Sequence, residues 1–129
     1  MPHIHIDYSA NLEQIIDFSH FVENLRKEAL QIDAFPMAGI RVRAIRVDHY
    51  AIADGNPAHG YIDISVRLRE GRSFKVKKAA IEQLFDHAKA YLEPMMTEHP
   101  IALSAEIRDI DAQLSPKFGT IRDHLKDLS

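Results

Sequence analysis

Cysteine is absent from the 129-residue sequence. That one absence excludes disulfides, thiolate zinc sites, iron–sulfur clusters and cysteine nucleophiles. Long apolar runs are lacking as well, none approaching the ~20 residues that span a bilayer. The N-terminus has neither the basic leader nor the apolar core of a signal peptide. No elbow or spacing marks a Ser–His or Asp–His nucleophilic site. Positive charge is not in excess either: the formal net charge is -3, so bulk electrostatics point to neither nucleic acid nor an anionic membrane. The expectation is a cytoplasmic protein with no nucleic-acid and no membrane partner. With 46% hydrophobic and 27% charged residues, residues 1–129 read as a single domain with a substantial core.

What is present begins at once, with Met1-Pro2-His3-Ile4-His5-Ile6. Removal of the initiator methionine would leave Pro2 as the terminus, with a basic secondary amine. A proline inside a chain has only an amide nitrogen, with no proton to give. Ile4 and Ile6 alternate with His3 and His5, the period of a strand, and a strand starting here pins the terminal nitrogen instead of letting it fray. His3 and His5 share one side of that strand. They read either as metal ligands lacking an identifiable third partner, with His49 and His59 the candidates, or as hydrogen-bonding or interface residues.

Residues 2–8 form the predicted first strand. Ser9 or Asn11 is placed to cap a helix over about 12–30, and Asn11 with Gln14 has capping-box spacing. Leu12, Ile15, Ile16, Val22, Leu25 and Ala29 form its apolar stripe, which Phe18 and Phe21 either widen or leave to face a partner. Gln31 to Gly39 is a connector, and residues 40–47 a second strand. After the Asp54-Gly55-Asn56-Pro57 turn, residues 61–69 alternate as a third strand. Ser73 is a good N-cap for a second amphipathic helix, about 74–93, striped by Val76, Ala80, Leu84 and Ala88. Pro94 and Pro100 bracket a predicted linker, residues 101–110 read as a fourth strand, and the tail at 111–129 holds a short helix near 120–127.

Ile4-His5-Ile6 matches Ile62-Asp63-Ile64 at an offset of 58 residues. The order is therefore two β-α-β units, about 2–47 and 61–110, and the fold class is α+β: a four-stranded sheet with both helices on one face. The other face, with His3, His5, Asp63, Ser65 and Arg67, is polar and meets water or a partner; Tyr61 favours a partner.

Two arginines stand where an anion would be held. Arg72 precedes the second helix, whose N-terminus adds free N–H groups and partial positive charge. Arg41 opens the strand after the Met37-Ala38-Gly39 connector, and a guanidinium suits bidentate carboxylate recognition. Phe35 and Met37 are candidate pocket residues because of their proximity to Arg41 in the chain.

These features together resemble the tautomerase superfamily. Residues 61–110 look like one short 4-oxalocrotonate tautomerase subunit. Met1-Pro2-His3, Phe35-Pro36-Met37-Ala38-Gly39-Ile40-Arg41, Ala53-Asp54-Gly55 and Gly71-Arg72-Ser73, in that order, are similar to the 5-carboxymethyl-2-hydroxymuconate isomerase family over roughly residues 1–110. The resemblance implies a homotrimer, no metal and no organic cofactor. It implies a small dicarboxylate or tricarboxylate dienol as substrate, in breakdown of the aromatic compound homoprotocatechuate. It also implies Pro2 as base and acid, with Arg41 and Arg72 contacting carboxylate or oxyanion. The second unit opens with Gly60-Tyr61 rather than proline, so one active site per subunit is expected. The competing reading is a non-catalytic trimeric binding protein on the same scaffold.

Overall fold

A computed structural model describes residues 1–125. Strand β1 (His3–Ser9) leads through a 3-10 turn (Ala10–Gln14) into α1 (Phe18–Ala29). A second 3-10 turn (Met37–Gly39) precedes β2 (Arg41–Val47). Strand β3 (Gly60–Arg69), α2 (Phe74–Glu98) and β4 (Ile101–Ile110) repeat the pattern, and a 3-10 turn (Ile121–His124) follows in the tail. The strands form one sheet in the order β2-β1-β3-β4. Within each unit the strands are parallel, and the two units meet through antiparallel β1 and β3. No helix among the described residues is long and apolar enough to cross a membrane.

The internal repeat has a geometric meaning. Ile4 pairs with Val66, and Tyr8 pairs with Ile62. Shifting each member of the first pair by the repeat offset, in opposite directions, produces the second. The register is thus the one a two-fold axis through the sheet centre would impose.

One face of the sheet carries the core. Ile4 and Ile6 of β1 and Ile62, Ile64, Val66 and Leu68 of β3 are fully buried. Helix α1 covers the β2 side, α2 the β4 side, and the helices touch each other. Phe21, Leu25, Leu84, Ala88 and Leu92 fill the space between helices and sheet.

Four local predictions need correction. The first helix does not start at residue 12. Ser9 is buried, and its Oγ accepts from Tyr61 N at 3.0 Å across the sheet. The Asn11 amide reaches His59 O at 2.8 Å, so neither residue remains to cap. Asp17 caps instead, accepting from His20 N at 3.1 Å. The apolar stripe shifts accordingly: Phe18 and Phe21 are core residues, while Val22 is only half-buried. The second helix continues through Pro94 to Glu98. Proline removes one helical hydrogen bond, but Leu92 anchors the turn before it in the core and Met95 and Met96 pack at its margin. Burial therefore outweighs the local break, and the linker shrinks to His99-Pro100. Val76 is 43% exposed and does not belong to the buried stripe. The tail helix is limited to Ile121–His124; the rest of its predicted span at 126–127 lies outside the described residues.

Phe21 sits edge-on to Phe18 and tilted against Tyr91, with centroids 6.1 and 5.2 Å away. Phe21→Ala should cost about 3–5 kcal/mol through lost burial and a residual cavity. Urea unfolding of the variant against wild type measures this, and a loss under about 1 kcal/mol would contradict the assigned packing.

Candidate active site

The site is assembled by strand polarity. His3, at the start of β1, stands opposite Arg41 at the start of β2 and Arg67 near the end of β3. Strands β3 and β4 run parallel and finish together, Arg69 opposite Ile110. Two strand starts and two strand ends therefore share one edge of the sheet. Arg41 N donates to Pro2 O at 3.2 Å, continuing the β1–β2 ladder to the terminus.

Two glycines shape this edge. A Cβ on Gly39 would lie 3.0 Å from Met1 Cα and 3.1 Å from Pro2 Cδ. The terminal residues lie flat on the connector because no side chain intervenes there. Gly71 has φ 115°, a left-handed conformation that ordinary residues avoid, and it turns β3 toward α2. Arg72 emerges from that corner with Nη1 donating to Arg69 O at 3.1 Å. Across the edge, Arg41 Nη1 donates to Gly39 O at 3.2 Å. Both guanidiniums are held by backbone carbonyls and keep further N–H groups for a ligand.

Between them lies a cavity of about 450 Å³, lined by Met1, Gly39 and five cationic side chains: Arg41, Arg69, Arg72, Lys117 and Arg122. Phe118 and Ile121 of the tail close one side. None of the ion pairs among the described residues engages these five cations. The terminal amine feels this setting. Burial, then the charges of Lys117, Arg72, Arg69 and Arg41, hold it below its ordinary pKa, since low dielectric and like charge both disfavour an ammonium. An amine biased toward its neutral form, beside an excess of guanidinium, can accept a proton from an anionic ligand bound in the same place.

The family model for 5-carboxymethyl-2-hydroxymuconate isomerase matches residues 2–125. The chain belongs to the 5-carboxymethyl-2-hydroxymuconate isomerase family. It is 29% identical over 121 residues to the 5-carboxymethyl-2-hydroxymuconate Delta-isomerase of Escherichia coli, covering 94% of this chain and 96% of that protein. A crystal structure of a 5-carboxymethyl-2-hydroxymuconate delta-isomerase superposes with a TM-score of 0.88 at 30% identity, covering 100% of this chain and 95% of that one. A fused 4-OT described as a symmetric trimer shares the fold alone, with a TM-score of 0.62 at 16% identity over 88% of this chain and 91% of that one. Membership in this family makes the protein an isomerase and sets aside the non-catalytic binding scaffold.

In this isomerase-family chain the residues singled out by sequence fare differently. Arg41 and Arg72 line the cavity together with the terminal residue. Pro2 is fully buried directly behind Met1, which itself occupies the wall. Phe35 and Met37 do not line it. Phe35 is 4% exposed and belongs to the hydrophobic core, and Met37 is 38% exposed on the outer side of its turn. The alternate members of that segment, Pro36, Ala38 and Gly39, form the wall. Arg69, Lys117 and Arg122 went unrecognised in the sequence. The only hint was the mixture of cationic and apolar residues in Lys117-Phe118 and Ile121-Arg122, in a tail without periodicity.

The histidine pair lies on the uncovered sheet face, outside the cavity lining. His5 Nδ1 accepts from Arg43 Nε at 3.3 Å. Burial, then Arg67, Arg41 and Arg43, push the pKa of His3 down. That cationic fence opposes a metal ion as it opposes a proton. Among the described residues no group of three His, Cys, Asp or Glu side chains is placed to hold a metal.

The electrostatics make a direct prediction. The terminal amine should titrate below the ordinary α-amino range, and Lys117→Met should move its midpoint to higher pH by removing the largest of the charges that oppose protonation. NMR titration of the labelled terminal nitrogen reads both values, and an unchanged midpoint in the variant would show that Lys117 does not act on the amine.

Proposed function

We propose that the protein converts 5-carboxymethyl-2-hydroxymuconate to its 2-oxo-3-ene isomer, with Pro2, freed of Met1, as the proton carrier. The cavity at the N-terminus carries this reading, because it combines a neutral-leaning amine with guanidiniums that form no ion pair among the described residues. Removal of Met1 would take a residue off the cavity wall and put the Pro2 nitrogen in its place.

The chemistry balances without a further reactant. The Pro2 nitrogen takes the proton of the 2-hydroxyl, leaving a dienolate. Electron density shifts along the conjugated chain: C2 becomes a carbonyl, the C2–C3 and C4–C5 double bonds are replaced by one between C3 and C4, and negative charge gathers at C5. The same nitrogen then returns the proton to C5. Such a carrier works best with a pKa near operating pH. A free α-amine has a pKa near ~7.7–8.0 and a prolyl amine is more basic still, so each unit of downward shift asks about 1.4 kcal/mol of the surroundings. Burial and the cavity cations both act in that direction on the Met1 amine, and the Pro2 amine would meet the same cations. Arg41 and Arg72, fixed by Gly39 O and Arg69 O, bind carboxylate and hold negative charge on the oxygen as it develops.

The uncovered sheet face supports assembly into a homotrimer. Tyr61 lies half-buried there, its pKa raised to about 12 by burial and then by its bond to Asp7. Ile45 is 47% exposed on the edge strand β2 of the same face. A sheet covered on one side only gains by pairing the other with copies of itself.

Intact mass should show Met1 removed, and a dienol assay by ultraviolet absorbance should show turnover rising with pH through the amine midpoint. Pro2→Ala should keep the fold and lose roughly 10²-fold in kcat, the usual scale of a positioned acid–base group. Wild-type turnover in that variant would dismiss the proline. Arg72→Ala should raise KM and lower kcat by roughly 10²-fold; if neither constant moves, Arg72 is outside the site.

A further inference from the structure

The reaction needs one base, one group for the oxyanion and a hold on the carboxylate beside it. Five cations line the cavity, more than that task employs. Arg41 and Arg72 are tied to backbone carbonyls on the β1–β2 and β3–α2 sides. Lys117 and Arg122 come from a different part of the chain, the tail beyond β4. Neither makes a side-chain hydrogen bond or ion pair among the described residues, although other tail groups near them do. Clustered like charges repel one another, and among the described residues no carboxylate forms an ion pair with them. The wall between them is apolar, formed by Phe118 and Ile121, which are 96% and 51% exposed. An anion on a short hydrocarbon arm suits that combination: the arm lies on the apolar wall and the charge meets the cations.

We propose that Lys117 and Arg122 form a third carboxylate subsite, which makes the tail the element that selects tricarboxylate dienols over dicarboxylate ones. The subsite rests on the isomerase reading of the cavity and adds a division of labour to it. The edge arginines hold the carboxylate and oxygen at the reacting end. The tail pair receives the carboxymethyl carboxylate, the group by which this substrate differs from 2-hydroxymuconate. Of the two, Arg122 isolates the effect. Lys117 also bears on the terminal amine, whereas Arg122 is not among the charges that shift it.

The test compares wild type with Arg122→Met, Lys117→Met and Arg122→Lys. Turnover of 5-carboxymethyl-2-hydroxymuconate and of 2-hydroxymuconate is measured across pH. Calorimetric binding of the unreactive propane-1,2,3-tricarboxylate and of glutarate is measured alongside. Arg122→Met should cut the ratio of the two kcat/KM values by roughly 10- to 100-fold, the scale of one charge-assisted hydrogen bond. The loss should fall mainly in KM, with the acid limb of the pH profile in place. Arg122→Lys should restore part of the ratio. Lys117→Met should cut the ratio and also move the acid limb. Equal losses on both dienols, or wild-type binding of the tricarboxylate no tighter than glutarate, would overturn the subsite while leaving the isomerase standing. A wild-type protein that turns over neither dienol but prefers the tricarboxylate, and loses that preference in Arg122→Met, would retain the subsite and remove the isomerase reading.

Discussion

The hydrogen-bonded capture of the N-terminus at the centre of the sheet is the constraint on which the rest depends. Strand β1 is flanked on both sides, parallel to β2 and antiparallel to β3. A chain terminus ordinarily frays. Here two ladders hold it, and Arg41 N reaches one residue further to Pro2 O. Gly39 lets the connector press against the first two residues without a clash. The proton transfer proposed for this terminus would need such immobility, because proximity and orientation carry much of the work of a one-base reaction.

The second feature is how charge is distributed. The chain is net negative, yet one cavity collects five cations. Elsewhere several cations are matched: Arg26 with Glu23, Arg46 with Glu13 and Asp48, Lys77 with Asp109. Those exposed pairs add little stability each. The cavity cations impose a cost on the fold, since like charges are held together. They also bias the terminal amine toward its neutral form. In the proposed function a single electrostatic arrangement thus serves both binding and basicity.

Much of this was legible in the residues, in proportion to how local each signal was. Strand alternation in residues 61–69 and 101–110 located β3 and β4 to within a residue, because side-chain period and burial coincide there. The start of α1 was misplaced because Ser9 and Asn11, good caps by composition, are drawn into contacts with Tyr61 and His59 some fifty residues away. Pro94 stood as a helix end by its own chemistry and was overruled by the burial of Leu92 and the packing of Met95 and Met96. Arg41 and Arg72, which line the cavity, stood out because each adjoins a recognisable corner. Phe35 was drawn into the site by nearness in sequence, whereas its ring belongs to the core.

By itself the sequence determined the element types, the two-fold repeat and a proline that processing can turn into an amine, because periodicity and residue chemistry are properties of short windows. Which residues share the cavity was decided by the tertiary structure alone. The antiparallel pairing of β1 with β3 sets the starts of two strands beside the ends of the other two. It thereby brings Arg69 and the tail's Lys117 and Arg122 around the terminus, a meeting of distant segments that no local pattern encodes.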